Sequence, residues 1–225
     1  MKKLSLLLVA IGFFMVSYYG FQWWQSSQAF ESISEEEMKE WAGGVEDSSE
    51  TAEDSQSNKQ EEIVKKPIKS GSAAPESPLR MSDEMEDMNE GEEIGRLVIP
   101  KLEKGYHTYW GADDDTLEQG VGMYVSQWTT TPDEERHTVL SGHRDTVFSE
   151  LKNIEKGDSL FLEFEGKRYE YVIQKTWITD AEDRSVIVDK ETPTLTLTTC
   201  YPFEFLGDAP DRYIIESELV NTTDM

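Results

Sequence analysis

The chain has 225 residues and carries 46 acidic against 21 basic side chains, so its formal net charge is −25, while 37% of its residues are hydrophobic. The apolar content excludes a wholly disordered chain, and the acidity excludes a protein that binds nucleic acid through phosphate contacts. The single cysteine, Cys200, excludes an intrachain disulfide, a zinc ribbon and a CxxC redox motif.

An apolar stretch near the N-terminus predicts a membrane anchor. Leu4 to Phe21 is a run of eighteen residues without a charged side chain, which just reaches the roughly 17–25 residues that a spanning helix needs. Two lysines precede the run and Trp23-Trp24 follows it, as the positive-inside bias and an interfacial aromatic belt require. We therefore expect residues 1–30 to form a cytoplasmic tip and a single-pass transmembrane helix in the cell membrane, with the remaining chain extracytoplasmic.

A cleaved signal peptide is the alternative for this stretch, because Ser27-Gln28-Ala29 resembles a small-x-small cleavage site. The apolar regions of signal peptides usually run about 7–15 residues. The longer run in this chain favours the uncleaved anchor.

Residues 31–93 predict a spacer between the anchor and a folded domain. They hold 20 acidic and 6 basic side chains, and stretches such as ETAEDSQSNKQEE offer little apolar surface to bury. We expect an acidic, largely disordered linker, with at most a short helix around Glu35 to Trp41. Its predicted role is to hold a domain away from the membrane, and an autoinhibitory lid is the alternative.

Residues 94–225 are predicted to form one all-β domain. Short apolar segments separated by turn residues are typical of a barrel or a sandwich. Glu165-Gly166-Lys167 predicts a hairpin turn, and Asp114 to Gly120 and Phe148 to Ile154 predict short connecting helices. The eight expected strands lie at residues 95–100, 123–126, 137–141, 159–164, 169–173, 177–179, 194–199 and 213–216.

Cys200 is predicted to lie at the end of a strand. In PTLTLTTCYPF the side chains alternate strictly between the two faces of the strand. Leu195 and Leu197 lie on one face, and Thr194, Thr196, Thr198 and Cys200 lie on the other. A buried structural thiol is the usual fate of a free cysteine. The polar neighbours and the nearby Pro202, which ends strand pairing, favour an accessible nucleophile instead.

His143 and Arg212 are predicted at two further strand boundaries. A strand runs into Gly142-His143, where the glycine permits the close approach of another segment. Arg212 follows a turn and opens the last strand, although most arginines are solvated or ion-paired. His107 lies in a predicted connection and His137 follows a charged turn, so we expect both rings to face solvent or a rim.

A cysteine, a histidine and an arginine together form a workable site for acyl transfer. A thiolate attacks the carbonyl, an imidazolium stabilises it and later protonates the leaving amine, and a fixed cation stabilises the tetrahedral oxyanion. Spacing in the sequence does not establish that the three residues meet in space.

The same segments resemble the sortase family. Thr196 to Cys200 matches the TLxTC signature, Gly142-His143-Arg144 is similar to the segment with the family's histidine, and Arg212 follows the cysteine as the family's arginine does. The similarity runs from about Ile94 to Leu219. Met123 stands where many sortases have a histidine that catalysis does not need.

Within the family, the chain resembles class D most closely and class A second. Residues 31–93 lack the Asp-Pro-aromatic lid that is typical of pilus-building sortases. The second membrane span of those enzymes is not expected either, because the sequence after Leu219 is polar.

The resemblance implies an eight-stranded β-barrel with antiparallel and parallel strands, and a cysteine transpeptidase of a Gram-positive cell membrane. Such an enzyme cleaves LPxTG-like C-terminal sorting signals between Thr and Gly. It then transfers the protein, held as a thioester on Cys200, to an amine of a cell-wall peptidoglycan precursor. The resemblance assigns catalysis to Cys200, His143 and Arg212, and assigns Thr199 to binding of the acyl group.

No cofactor and no metal are expected for this chemistry. The acidic run Asp113-Asp114-Asp115 is a conceivable calcium ligand set, but acidic runs without ligand spacing are usually solvated faces.

Two other functions stay open at this point. A cysteine peptidase, which passes the acyl group to water, would use the same thiol and histidine. A non-enzymatic, membrane-tethered barrel that binds cell-wall components would leave Cys200 dispensable.

Overall fold

The computed structural model describes residues 11–18, 20, 30–34, 37, 41, 88–204, 207 and 209–225. Residues 11–18 and 20 are helical, and they are the described part of the predicted anchor, Leu4 to Phe21. Among the described residues, no helix combines the length and the apolar character needed to cross a membrane. The rest of the predicted anchor and most of the predicted spacer lie outside the described residues.

Nine strands in the described part of the chain form one sheet, and eight of them close into a barrel. Around the ring the order is β3-β2-β6-β7-β9-β8-β5-β4, and β4 pairs with β3 to complete it, while β1 adds to β3 from outside. The strands are β1 Phe30–Ser32, β2 Glu93–Ile99, β3 Lys104–Trp110, β4 Val121–Met123, β5 His137–Ser141, β6 Ser159–Phe164, β7 Lys167–Asp180, β8 Thr194–Tyr201 and β9 Asp211–Asp224.

The predicted eight-stranded barrel with short connecting helices is confirmed. The pairs β3–β4 and β5–β8 are parallel, and the other pairs are antiparallel. The connections contain the α-helix α1 Asp114–Gln119 and the 3-10 helices Pro100–Leu102, Pro132–Glu134 and Leu151–Asn153.

The hairpin between β6 and β7 shows how local sequence builds this sheet. Glu165 and Gly166 have φ angles of 48° and 73°, as a two-residue type I′ turn requires. Beyond the turn, Tyr169, Tyr171 and Ile173 alternate with more exposed residues and are each at most 2% exposed. The predicted hairpin turn is confirmed.

Three predicted strand assignments differ from the structure, and β4 is the first, since it runs Val121–Met123 instead of over residues 123–126. The segment around His107, predicted as a connection, is strand β3, because it pairs with β2 on one side and with β4 and β1 on the other. Residues 169–173 and 177–179, predicted as two strands, belong to the single strand β7. An irregularity between Ile173 and Lys175 lets β7 stay paired with β9 across the polar stretch that suggested a break.

Part of the predicted spacer is docked on the barrel, which the prediction for residues 31–93 did not include, and Glu37 and Trp41 are helical as expected for the short helix there. β1 pairs with β3, placing Phe30 opposite Tyr106. Ile33 N then donates a hydrogen bond to Glu103 O at 3.0 Å. β4 pairs only with Thr108 to Trp110 on this edge of β3, so Lys104 to Tyr106 are free to pair with β1.

Trp41 supplies the apolar part of this docking. Its side chain is 4% exposed and packs with Ile33, Val98 and Phe161 in a small cluster separate from the barrel core. The ring meets that of Phe161 edge-on at 4.7 Å, and the guanidinium of Arg168 lies 3.6 Å from the Trp41 centroid. An isolated tryptophan in an acidic segment thus finds apolar surface that the local sequence does not contain.

The folded domain also begins before the predicted boundary at residue 94. Met88 packs against the barrel core. Gly91 N donates to Trp110 O at 2.8 Å, and Trp110 N donates to Glu92 O at 2.7 Å. These bonds tie the residues just ahead of β2 to the end of β3.

Candidate active site

Three strand ends meet at one edge of the barrel, and each carries or precedes one of the predicted catalytic residues. β8 lies between β5 and β9. Cys200 is directly opposite Arg212 in the antiparallel β8–β9 pair, and Ser141 is directly opposite Thr198 in the parallel β5–β8 pair. Opposed residues in an antiparallel pair share a face, with Cβ atoms about 4.5–5.5 Å apart. The thiol of Cys200 and the side chain of Arg212 are therefore neighbours.

His143 reaches the same edge through the backbone of Gly142. Gly142 N donates to Thr198 O at 3.3 Å, and Thr199 Oγ1 donates to Gly142 O at 2.7 Å. These bonds hold the residue before His143 against the segment that ends in Cys200. Among the described residues, no hydrogen bond joins the imidazole to the thiol, and such bonds often tighten only when substrate is bound.

Gly142 is required by close packing. A Cβ atom at this position would lie 2.7 Å from Val147 Cγ2 and 2.7 Å from Phe148 Cδ2. Both of these side chains belong to the barrel core, and Phe148 is 0% exposed. The predicted close approach at Gly142 is confirmed, and it brings the segment after His143 down onto the core.

Cys200 is half-buried on the outer face of the barrel. Leu195 and Leu197 are fully buried in the core cluster, on the opposite face of β8. The predicted alternation is therefore confirmed. Thr194 and Thr196 share the face of Cys200 but are at most 4% exposed, so another part of the chain covers that face beyond the thiol.

The covering segment is the connection between β7 and β8, residues 181–193. Val188 O lies 2.6 Å from His137 Nδ1, and His137 Nε2 lies 2.9 Å from Thr196 Oγ1. The ring of His137 is 0% exposed, so the expectation that it faces solvent is wrong. Burial lowers the pKa of His137 to about 4.

Charged pairs hold the far end of the same segment. Arg136 forms a forked ion pair with Asp189, and this pair raises the pKa of the guanidinium. Lys190 Nζ lies 2.9 Å from Glu216 Oε2 on β9. These contacts hold residues 188–190 against the strands on either side of β8, the strand that carries Cys200.

Thr199 is placed differently from the expectation that it contacts substrate. It lies opposite Tyr213 on the inner face of the sheet and is 3% exposed. Its hydroxyl donates to Gly142 O. The structure therefore places Thr199 behind the site, where it holds the backbone that leads to His143.

Arg212 is half-buried and bonded to its own turn. Its Nη1 donates to Ala209 O and to Asp211 O, both at 3.1 Å. Among the described residues, Nε and Nη2 have no partner, so these donors are available to a ligand in front of Cys200. Arg212 is the second residue of β9, within one residue of the predicted position at the start of the strand.

Arg144 has a role that the sequence pattern did not indicate. Its Nη1 donates to Pro202 O at 2.8 Å, and its Nη2 donates to Gly207 O at 2.7 Å. These acceptors are 58 and 63 residues further along the chain. The only local signal was the position of Arg144 directly after His143.

The acidic run at residues 113–115 begins a helix. Asp113 caps α1, accepting a hydrogen bond from Thr116 N at 3.1 Å, and its bonds to Thr116 lower the pKa of its carboxyl. The described residues contain no cluster of three or more His, Cys, Asp or Glu side chains arranged to hold a metal ion.

Comparison with known proteins agrees with the geometry. The family model describing the sortase domain matches residues 97–220, a stretch that contains Cys200, His143 and Arg212. The chain is 46% identical over 131 residues to Sortase D of Bacillus subtilis (strain 168), covering 58% of this chain and 65% of that protein. The matched stretch thus spans a little under two thirds of that relative.

Two solved structures extend the comparison. The catalytic domain of B. anthracis SrtD is 58% identical, with a TM-score of 0.55, over 62% of this chain and 95% of that one. Sortase E1 from Streptomyces coelicolor, solved with a tripeptide in its active site, is 27% identical, with a TM-score of 0.55, over 60% of this chain and 91% of that one.

Proposed function

This chain belongs to the sortase family, and on that basis we propose that it is a cysteine transpeptidase whose catalytic residues are Cys200, His143 and Arg212. The observation that carries the proposal is the register of β8 with its two neighbours. It places Cys200 opposite Arg212, and it binds Gly142, the residue before His143, to Thr198 and Thr199.

The first half of the reaction forms a thioester. The thiolate of Cys200 attacks the carbonyl carbon of the scissile peptide bond, and the carbonyl oxygen becomes an oxyanion that the free donors of Arg212 stabilise. The C–N bond then breaks, and the imidazolium of His143 gives its proton to the departing amine. The product is an acyl-enzyme with a neutral imidazole beside it.

The second half reverses the roles of the same groups. An incoming amine attacks the thioester carbon, and His143 accepts the proton that this amine loses. The C–S bond breaks, and Cys200 leaves as the thiolate. The sequence of steps regenerates the starting ion pair and consumes no cofactor.

We propose an LPxTG-like C-terminal sorting signal as the peptide and an amine of a peptidoglycan precursor as the acceptor. A peptide substrate is supported by the tripeptide in the active site of the related Sortase E1. We further propose that the apolar N-terminal stretch anchors the enzyme in the cell membrane with the barrel outside.

The test is mass spectrometry of an LPxTG peptide incubated with the enzyme and hydroxylamine, which attacks thioesters. Wild type should yield the peptide cleaved after Thr as its hydroxamate. Cys200→Ala should yield no product and no enzyme-bound acyl group, with an unchanged circular dichroism spectrum, because removing a half-buried thiol leaves little cavity. Product from Cys200→Ala would overturn the covalent mechanism, and free acid as the only wild-type product would indicate a peptidase.

A further inference from the structure

Arg144 joins the segment after His143 to the connection between β8 and β9. The two bonds of its guanidinium end on backbone carbonyls, at 2.8 Å to Pro202 O and 2.7 Å to Gly207 O. Pro202 is two residues after Cys200. Arg144 therefore links the immediate neighbourhood of the histidine to that of the thiol.

His143 is held in this way from both sides. On one side Gly142 bonds to Thr198 and Thr199, which precede Cys200. On the other side Arg144 bonds to the residues that follow Cys200. The bond from Thr199 lies on the inner side of the sheet and fixes only the residue ahead of His143. The backbone on the other side of His143 then depends on the second anchor.

The chemistry of the bonds explains why an arginine stands here. A planar guanidinium offers several donors in a fixed fork, so it holds two carbonyl groups at a set separation. Charge-assisted hydrogen bonds are about twice as strong as neutral ones. A lysine would supply one mobile ammonium and would reach both carbonyls less well.

We propose that Arg144 is a positioning residue for acyl transfer, which sets the separation between the imidazole of His143 and the thiol of Cys200. This inference rests on the proposed function. Arg144 contacts backbone carbonyls rather than substrate, so it acts through His143. A displacement of about 1 Å at a reacting group costs on the order of 10²-fold in rate, and the effect should fall on kcat.

The first measurement is steady-state cleavage of an LPxTG peptide by wild type, Arg144→Gln and Arg144→Lys. We expect Arg144→Gln to lower kcat by at least about tenfold with KM within about twofold. Arg144→Lys should fall between wild type and Arg144→Gln, because an ammonium keeps one of the two bonds.

A matched control is available in the same pair of segments. Lys152 Nζ lies 2.7 Å from Glu204 Oε1, and the side chains are 45% and 84% exposed. An exposed ion pair of this kind contributes little. Lys152→Gln should therefore have nearly wild-type kinetics, although it removes a cross-link between the same parts of the chain.

The second measurement needs no peptide. Because the chain has one cysteine, the rate of iodoacetamide alkylation reports on Cys200 alone, and only the thiolate reacts. We expect Arg144→Gln to be alkylated several-fold more slowly than wild type near pH 7. The two rates should converge at high pH, where the thiol ionises without help from an imidazolium. If Arg144 only stabilised the fold, Arg144→Gln would lower the melting temperature and leave the pH dependence of alkylation unchanged.

The outcomes separate this proposal from the proposed function. An unchanged alkylation profile in Arg144→Gln, or an unchanged kcat, would overturn the positioning role. Wild type that cleaves no peptide would overturn the proposed function, while the alkylation profile would still decide whether Arg144 sets the geometry. If Arg144→Gln fails to fold, the same two readouts on Arg144→Lys decide the question.

Discussion

The three histidines of this chain have three different surroundings. His107 lies on β3, with Nδ1 2.7 Å from Glu93 Oε1 and 30% of its side chain exposed. His137 is enclosed. Only His143 follows a residue that is bonded to β8, the strand that carries Cys200, and it is half-buried. Proton transfer requires a ring that a reacting group reaches, so the environment singles out His143.

Replacement of each histidine by alanine should separate these roles. We expect His143→Ala to lower kcat/KM with an LPxTG peptide by at least about 10²-fold, because leaving-group protonation is lost. His107→Ala should be nearly normal. His137→Ala should reduce stability and leave kcat of the remaining folded enzyme close to wild type. A loss of kcat in His107→Ala as large as in His143→Ala would mean that the acid has been misassigned.

Arg212→Lys tests whether the guanidinium contacts the reacting group. An ammonium keeps the charge but not the planar fork, so we expect kcat/KM to fall on the order of 10²-fold, the lower end of what one oxyanion donor contributes. The melting temperature should change little. Near-normal kinetics would show that Arg212 is a surface charge and would leave the site with two members.

At the scale of elements, the connection of residues 181–193 lies beside β8 and the buried ring of His137. It covers the outer side of β8 through the carbonyl of Val188 on the buried ring of His137. Burial favours the neutral form of this ring, and this effect outweighs the opposing charges of Glu216 and Asp189. The contact between this connection and β5 is therefore linked to the protonation of His137.

This linkage predicts a pH dependence of stability. The pKa of His137 is about 4 in the folded protein and about 6.5 in an unfolded chain. The unfolded state thus binds the extra proton first, and stability that is complete above pH 6.5 is lost as the pH falls from 6.5 to 4. The loss should be on the order of 3 kcal/mol.

The measurement is urea unfolding at pH 7 and pH 4.5 for wild type, His137→Gln and His107→Gln. His137→Gln should be less stable at pH 7 but should lose less stability on acidification. His107→Gln is the control, because it changes a histidine on the surface and leaves the buried ring in place. Carboxylates titrate alike in all three proteins, so parallel curves for wild type and His137→Gln would refute the role of the buried ring.

At the scale of the whole molecule, the chain ahead of the barrel is part of the folded unit. β1 extends the free edge of β3, and Trp41 packs on Val98 and Phe161. Edge strands expose unpaired backbone groups, and a covering segment removes that liability. The segment closest to the predicted anchor is thereby fastened to the catalytic domain.

Trp41→Ala should release this segment. We expect the free energy of unfolding to drop by about 2 kcal/mol, less than the roughly 3–5 kcal/mol for a tryptophan truncated inside a core, because the detached segment gains conformational freedom. Limited proteolysis should then cut near residues 30–41 faster than in wild type. Trp41→Phe, which keeps a ring on Phe161, is the control. Equal cleavage rates in Trp41→Ala and wild type would contradict the docking.

The sequence by itself determined the features that depend on neighbours along the chain. Alternation over eight residues of β8 placed Cys200 on the face opposite two core leucines, and Glu165-Gly166 determined a hairpin. Both follow from backbone geometry with a period of two residues or from a single turn. The candidate residues at the three strand ends came from such patterns and from the sortase-like motifs around them.

Only the tertiary structure decided what covers or holds each of these residues. His137 is buried by a carbonyl 51 residues away, Arg96 bonds to Glu37 at a separation of 59, and Arg144 reaches carbonyls 58 and 63 residues further on. The closure of the barrel and the paths of its connections bring these partners together. The sequence around each of these side chains does not reveal a partner that lies more than fifty residues away. The burial of His137 and the bonds of Arg96 and Arg144 are therefore decided only by the folded chain.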